Sequence, residues 1–137
     1  HPGGSLGKKM LTTIGDLMHT GDQVPIVYEN SDLSVIISEM TQKRLGVTLI
    51  TNKKKQLKGI ITDGDLRRMI EDKKDISKIR ALDLSKSFPK WLEHNNLATK
   101  AVQLMEKHTI TSLVVSANGK KIDGIIHLHD LLKAGII

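Results

Sequence analysis

The sequence reads GIITDGDL at residues 59–66 and GIIHLHDL at residues 124–131. Five of these eight positions are identical, and the two stretches lie 65 residues apart. The same offset aligns Met40 with Met105, and the chain needs no gap to hold this register from about residue 24 to residue 135. Chance rarely preserves a register over such a length, so the chain contains an internal duplication.

Both copies have the same predicted order of elements, which is strand, helix, strand, strand, helix. The first copy is predicted to have strands at 24–27, 47–51 and 57–62, a helix from about 33 to 45 and a helix that Asp63 or Asp65 opens. The second copy is predicted to have strands at 91–92, 112–116 and 122–127 and helices at about 97–105 and 129–134. Helical spacing predicts buried faces at Leu33, Ile36, Ile37 and Met40 and at Leu66, Met69 and Ile70.

These elements predict a fold of the α/β (α+β) class. A repeat of about 60 residues has only a marginal core by itself. Two β-α-β-β-α repeats are therefore expected to pack together with pseudo-two-fold symmetry.

The composition excludes several classes of site. The 137 residues include no Cys, which rules out disulfides, zinc sites that use Cys and a cysteine nucleophile. No apolar run approaches the roughly 20 residues that span a bilayer, so no membrane partner is expected. We expect a cytoplasmic protein.

The net charge of +6 raises the question of nucleic-acid binding. The basic residues are spread along the chain, and their one triplet, at 53–55, falls in a predicted turn. Aromatic residues make up only 2% of the chain, whereas single-stranded nucleic acid is bound on aromatic platforms. Solvated surface lysines explain the surplus better than a nucleic-acid partner.

The repeated pattern resembles a known family. The CBS module, named for cystathionine β-synthase, is a β-α-β-β-α unit with Gly-aliphatic-aliphatic-Thr/Ser-x-x-Asp at the end of its last strand. Residues 59–65 fit this pattern, and residues 124–130 depart from it only at His127, which replaces Thr or Ser. The resemblance implies a tandem pair, or Bateman module, with CBS modules at 12–75 and 76–137.

Residues 16–22, 62–68 and 127–132 are similar to the C-terminal part of bacterial D-arabinose 5-phosphate isomerases. In that family, a sugar-isomerase (SIS) domain precedes two CBS modules. The opening residues HPGGSLG resemble the end of the SIS domain, so residues 1–11 are expected to be a leader, and His1 matches an active-site His of the family. The resemblance implies no catalytic residue in this chain by itself. It also implies a parent enzyme that interconverts D-ribulose 5-phosphate and D-arabinose 5-phosphate for Kdo and lipopolysaccharide synthesis.

The first motif suggests a ligand site at the strand-to-helix junction. Thr62 offers a hydroxyl, and the Asp65 carboxylate can accept hydrogen bonds from two ribose hydroxyls. Arg67 and Arg68 follow in the first helical turns, where a guanidinium can clamp a phosphate. The alternative is that Thr62 and Asp65 only cap the helix and that both arginines are solvated surface charges.

The second motif predicts a related but different site. His127 can donate to a phosphate or a carboxylate, and Asp130 takes the ribose role. Thr111 and Ser112, at the corner between helix and strand, are expected to line the same site or to cap the helix end. A metal site is not expected, because strand alternation would send His127 and His129 to opposite faces and no Cys or third His is near in sequence.

The sequence thus predicts a regulatory CBS pair that binds a nucleotide or sugar nucleotide, such as AMP, ATP or CMP-Kdo, in the cleft between its modules. No cofactor is implied. The expected partners are this anionic ligand, the SIS domain of the parent chain and a second copy in a homodimer. Two alternatives stay open, which are an oligomerisation module with empty clefts and a weak nucleic-acid-binding domain.

Overall fold

The computed structural model describes residue 7 and residues 9–137. His1 and most of the predicted leader therefore lie outside the described residues. The helices are Ile14–Leu17 (α1), Leu33–Lys43 (α2), Asp63–Glu71 (α3), Ala81–Leu84 (α4), Ala98–His108 (α5) and Leu128–Lys133 (α6), with short 3-10 helices at Gly21–Gln23 and Ile76–Lys78. The strands are Ile26–Tyr28 (β1), Val47–Thr51 (β2), Leu57–Thr62 (β3), Trp91–Leu92 (β4), Ser112–Val115 (β5) and Gly124–His127 (β6).

Two three-stranded sheets carry the duplication. The first has the order β1-β2-β3, and the second has the order β4-β5-β6. In each sheet, the first two strands are parallel and the last two are antiparallel. The registers also correspond, since Leu49 pairs with Ile60 and Val114 pairs with Ile125. The mixed α+β fold and its two β-α-β-β-α repeats are confirmed.

Several strands and helices begin or end at residues other than the predicted ones. The strand predicted at 24–27 begins at Ile26, because Pro25 has no N–H to donate and contributes only its carbonyl, to Leu49 N–H at 2.9 Å. Helix α2 ends at Lys43 rather than near residue 45, since Arg44 adopts a left-handed conformation with φ 63°. The strand predicted at 122–127 begins at Gly124, and α6 begins at Leu128 rather than at residue 129.

The chain divides into two compact units that are not contiguous in sequence. The first unit is Asp22–Pro89, and the second unit combines the described residues up to Gly21 with Lys90–Ile137. Helix α1 therefore lies with β4–β6, whereas α4 lies with β1–β3. The predicted modules at 12–75 and 76–137 follow the sequence repeat. They differ from the compact units because the segment before each first strand packs outside its own repeat.

Each unit has an aliphatic core, as the scarcity of aromatic residues predicts. The core of the first unit consists of Val27, Ile36, Met40, Ile50, Ile61, Met69, Ile79, Ala81 and Leu84. The core of the second unit consists of Ile14, Ala98, Ala101, Met105, Leu113, Val115, Ile126, Leu131 and Ile136. None of the helices in the described part of the chain has the length and apolar character that a membrane crossing requires.

The buried faces of two helices are narrower than predicted. Ile36 is fully buried, whereas the neighbouring Ile37 is 46% exposed. In α3, Met69 is buried, whereas Ile70 is 66% exposed. Each unit covers only one side of these helices, so the predicted burial of Ile37 and Ile70 is wrong within the units.

The motif glycines provide room for the segments that carry α1 and α4. A Cβ atom built on Gly124 would lie 2.5 Å from the His19 carbonyl oxygen and 2.9 Å from the Met18 sulfur. A Cβ atom on Gly59 would collide with the Ser85 side chain in the same way. Only glycine allows this approach, which explains why both copies of the motif begin with it.

Gly124→Ala is expected to destabilise the fold by about 1–3 kcal/mol, because the added methyl group must push the backbone at His19 away from β6. Urea unfolding at neutral pH measures the change. Gly7→Ala is the matched control, since a Cβ atom there meets none of the described residues within 4 Å. Equal midpoints for wild type and Gly124→Ala would contradict the close-approach explanation.

Candidate functional site

The junction of β3 and α3 is a complete capping box. The Asp65 N–H donates to the Thr62 hydroxyl at 3.2 Å, and the Thr62 N–H donates to the Asp65 carboxylate at 2.8 Å. The Thr62 hydroxyl also donates to this carboxylate at 3.0 Å. Thr62 is therefore the N-cap of α3, Asp65 completes the capping box, and the helix begins at Asp63, one of the two residues predicted to open it.

Arg68 completes the surroundings of Asp65. Its guanidinium donates to Asp65 Oδ1 at 2.6 Å, so the carboxylate, in a residue that is only 8% exposed, accepts three donors from its own unit. These contacts agree with the alternative interpretation of the motif, in which Thr62 and Asp65 cap the helix. Arg67 is exposed, and the roles of all four residues in ligand binding stay predictions.

The junction of β6 and α6 repeats the capping box with a different residue. His127 Nδ1 accepts from the His129 N–H at 3.0 Å, while the His127 N–H donates to Asp130 Oδ2 at 2.8 Å. The imidazole therefore replaces the threonine hydroxyl as an acceptor. It does not also donate to the carboxylate, as the Thr62 hydroxyl does.

His19 supplies the missing donor from the segment after α1. Its Nε2 lies 2.9 Å and 3.0 Å from the two carboxylate oxygens of Asp130, although 111 residues separate the two positions. The His19 main chain also pairs with Ile125 of β6. No local pattern marks His19, because its partner is brought close only by the tertiary fold.

The protonation state of His127 follows from its contacts. Since Nδ1 accepts a hydrogen bond, the proton of the neutral ring is on Nε2. Burial is the main cause that lowers the pKa of His127, and the nearby His129 lowers it further, while Asp130 acts in the opposite direction. His127 is therefore a neutral donor through Nε2 at pH 7.

Thr111 and Ser112 lie beside the same junction. The Thr111 carbonyl accepts from the Leu128 N–H at 2.8 Å, and the Thr111 side chain is exposed. Ser112 is directly opposite His127 in the β5–β6 ladder. Its Oγ is buried and has no hydrogen-bond partner among the described residues. Thr111 and Ser112 thus lie beside the junction of His127 and Asp130, and the role of all four in lining a ligand site stays a prediction.

The expectation that His127 and His129 point to opposite faces is wrong. Their ring centroids lie 4.5 Å apart, because the chain turns from strand to helix between them and strand alternation ends at the cap. Within residue 7 and residues 9–137, no group of three or more His, Cys, Asp or Glu side chains is arranged to hold a metal ion.

A separate cavity of about 340 Å³ lies in the first unit. Its lining consists of Ile37, Met40, Thr41, Arg44, Gly46, Asp63 and Leu66. Thr62, Asp65, Arg67 and Arg68 are absent from this lining, so the cavity lies beside the first motif rather than at its predicted ligand-binding groups.

His127→Thr introduces the residue that the first unit has at the equivalent position. We expect the variant to lose less stability in acid than the wild type does. An unfolded His takes up a proton near pH 6.5, whereas His127 in the fold does so only at lower pH. The unfolded state then binds more protons, so this contribution to stability is present above about pH 6.5 and is lost as the pH falls below it. Urea unfolding at pH 7.5 and about pH 5.5 measures the effect, with circular dichroism at pH 7.5 as the control for folding. An equal pH dependence of the two proteins would contradict the assignment.

Comparison with known proteins places these features in a family. The CBS domain family model matches residues 14–72 and 83–136. Over all 137 residues, the chain is 41% identical to the arabinose 5-phosphate isomerase KdsD of Yersinia pestis, of which it covers 42%. The chain thus spans about two-fifths of the length of the curated relatives it matches.

Solved structures show the same fold at lower identity. CBSX2 in complex with AMP has a TM-score of 0.78 at 20% identity, over 91% of this chain and 96% of that chain. A CBS domain protein of Pyrobaculum aerophilum complexed with AMP has a TM-score of 0.76 at 18% identity, over 91% of this chain and 99% of the other. Because the family model matches both repeats and the folds agree, the chain belongs to the CBS-domain family and carries two copies of the domain.

Proposed function

We propose that this chain is the regulatory, ligand-sensing CBS pair of a D-arabinose 5-phosphate isomerase. The 41% identity to KdsD over the whole chain supports this assignment. The chain covers 42% of that relative, which leaves room in a parent protein for a catalytic SIS domain. The parent would interconvert D-ribulose 5-phosphate and D-arabinose 5-phosphate for Kdo and lipopolysaccharide synthesis, with the chemical step outside these 137 residues.

The proposed ligand is a nucleotide or a sugar nucleotide, with AMP, ATP and CMP-Kdo as candidates. The observation that supports it is the cluster of His127, His129 and Asp130 at the β6–α6 junction. A carboxylate accepts hydrogen bonds from vicinal sugar hydroxyls, and His127 Nε2–H can donate to a phosphate or carboxylate oxygen. Two solved structures of the same fold contain AMP, which agrees with this ligand class.

The second unit is the better candidate for ligand binding. In the first unit, Asp65 is engaged by a guanidinium and by both donors of Thr62. In the second unit, the cap leaves Asp130 with one main-chain donor from its own junction and with an imidazole from a distant segment. A ligand that binds Asp130 would therefore have to replace fewer hydrogen bonds from the same junction than a ligand that binds Asp65.

Regulation requires that the ligand distinguishes two states of the parent protein. A ligand shifts such an equilibrium only by its difference in affinity for the two states. Binding at Asp130 would bias the placement of the catalytic domain if it changes the position of the segment that leads to this domain.

Calorimetry with AMP, ATP and CMP-Kdo is expected to show saturable binding of at least one of them. Asp130→Asn should weaken binding about tenfold or more, which is about 1.4 kcal/mol, because the amide keeps the size of the side chain but loses its charge and one acceptor. Asp65→Asn is the matched control, since it makes the same change at the equivalent position of the first unit.

Two outcomes would contradict this proposal. Dissociation constants above about 1 mM for all three ligands, a binding free energy weaker than roughly −4 kcal/mol, would exclude sensing of these nucleotides. Loss of binding in Asp65→Asn but not in Asp130→Asn would place the ligand in the first unit.

We also propose that the chain forms a homodimer through the first unit. Ile37 and Ile70 are 46% and 66% exposed, and Ile37 lines the cavity together with Leu66, one helical turn before Ile70. Helices α2 and α3 thus each present an exposed apolar side chain, and exposed apolar patches on small domains commonly mark contacts between proteins.

Light scattering after size exclusion is expected to give the mass of a dimer without ligand. Ile70→Lys should shift the population toward monomer, because a buried lysine without a partner opposes association. Ile76→Lys is the matched control, since Ile76 is also exposed but lies on a 3-10 helix outside α2 and α3. A wild type that stays monomeric at a protein concentration of about 100 μM, which is about 100 times a micromolar dissociation constant, would contradict dimerisation.

A further inference from the structure

The Asp130 carboxylate already has an occupant, which is the His19 side chain. One imidazole nitrogen faces both carboxylate oxygens, at 2.9 Å and 3.0 Å. A pair of sugar hydroxyls would need the same two oxygens. The ligand of the proposed function and His19 therefore compete for one set of acceptors.

The cap residue explains why this occupant exists only in the second unit. In the first unit, the Thr62 hydroxyl and Arg68 satisfy the carboxylate locally. In the second unit, His127 uses Nδ1 as an acceptor for the His129 N–H and gives the carboxylate no side-chain donor. His19 fills this position.

The main chain of the segment that carries His19 is hydrogen-bonded to β6. The His19 N–H donates to the Ile125 carbonyl at 2.8 Å, and the Ile125 N–H donates to the His19 carbonyl at 3.1 Å. The contact between His19 and Asp130 adds a side-chain bond to these two main-chain bonds. Loss of the side-chain bond thus weakens the attachment without breaking the main-chain pairing.

We propose that His19 is an internal competitor at Asp130, which a ligand must displace to bind and whose release loosens the N-terminal segment from β6. This inference rests on the proposed function, because it concerns the same carboxylate. It assigns His19 a regulatory role, since the segment it anchors continues toward the N-terminus, where the parent would carry its catalytic domain.

Calorimetry of the 137-residue chain with AMP and with CMP-Kdo tests the competition. His19→Ala is expected to bind the active probe about three- to tenfold more tightly than wild type, because the apparent affinity rises when the competing state is removed. His108→Ala is the matched control, since it removes another histidine of the second unit, at the end of α5, and should leave the affinity unchanged.

Hydrogen exchange at the His19 amide provides a second readout, because this amide donates to the Ile125 carbonyl. The bound probe should accelerate its exchange in wild type. In His19→Ala, the amide at position 19 should exchange at the same rate with and without probe. This comparison uses each protein as its own reference, so a lower stability of the variant does not obscure it.

The outcomes separate this inference from the proposed function. Binding that His19→Ala leaves unchanged or weakens would overturn the competition while the proposed function stands, and so would slower exchange of the wild-type amide in the presence of probe. Absence of binding to both wild type and His19→Ala would overturn the proposed function and the competition with it.

Discussion

The close approach of a preceding segment to each motif glycine is the constraint on which the two units depend. The backbone at His19 lies against Gly124, and Ser85 lies against Gly59, in spaces that a single methyl group would fill. This approach allows main-chain bonds between His19 and Ile125 and the bond from the Ile60 N–H to the Ser85 hydroxyl at 3.1 Å. The helices before each repeat can then pack beside the sheets, and the candidate site gains a residue from outside its own repeat.

A single substitution in the repeated motif changes the chemistry of the second junction. Threonine at the cap both accepts from the helix and donates to the carboxylate, so the first junction is satisfied by local groups. Histidine at the cap accepts through Nδ1 and directs its remaining proton elsewhere, which leaves the carboxylate of Asp130 to a distant partner. The duplicated fold thus holds one junction whose carboxylate is satisfied by neighbouring residues and one whose carboxylate bonds to a residue 111 positions away.

Much of the fold was predictable because its signals are local. The strands at 47–51, 57–62 and 91–92 were predicted with the observed limits, since apolar runs and polar turns bound them clearly. The faces of α2 and α3 were less predictable, because helical periodicity does not tell how much of a helix one unit covers. The arrangement of His127 and His129 was mispredicted because strand alternation does not continue through a cap.

The sequence by itself determined the duplication, the order of elements, the aliphatic cores and the residues at the two junctions. These features depend on neighbours within a few residues or on a repeat that can be read directly. Only the tertiary structure decided that α1 joins the second unit, that α4 joins the first, and that His19 bonds to Asp130. The physical reason is distance along the chain. Hydrophobic periodicity and capping patterns depend on neighbouring residues, so they do not tell which of two similar sheets a segment packs against. For the same reason they do not tell that His19 contacts a residue 111 positions away.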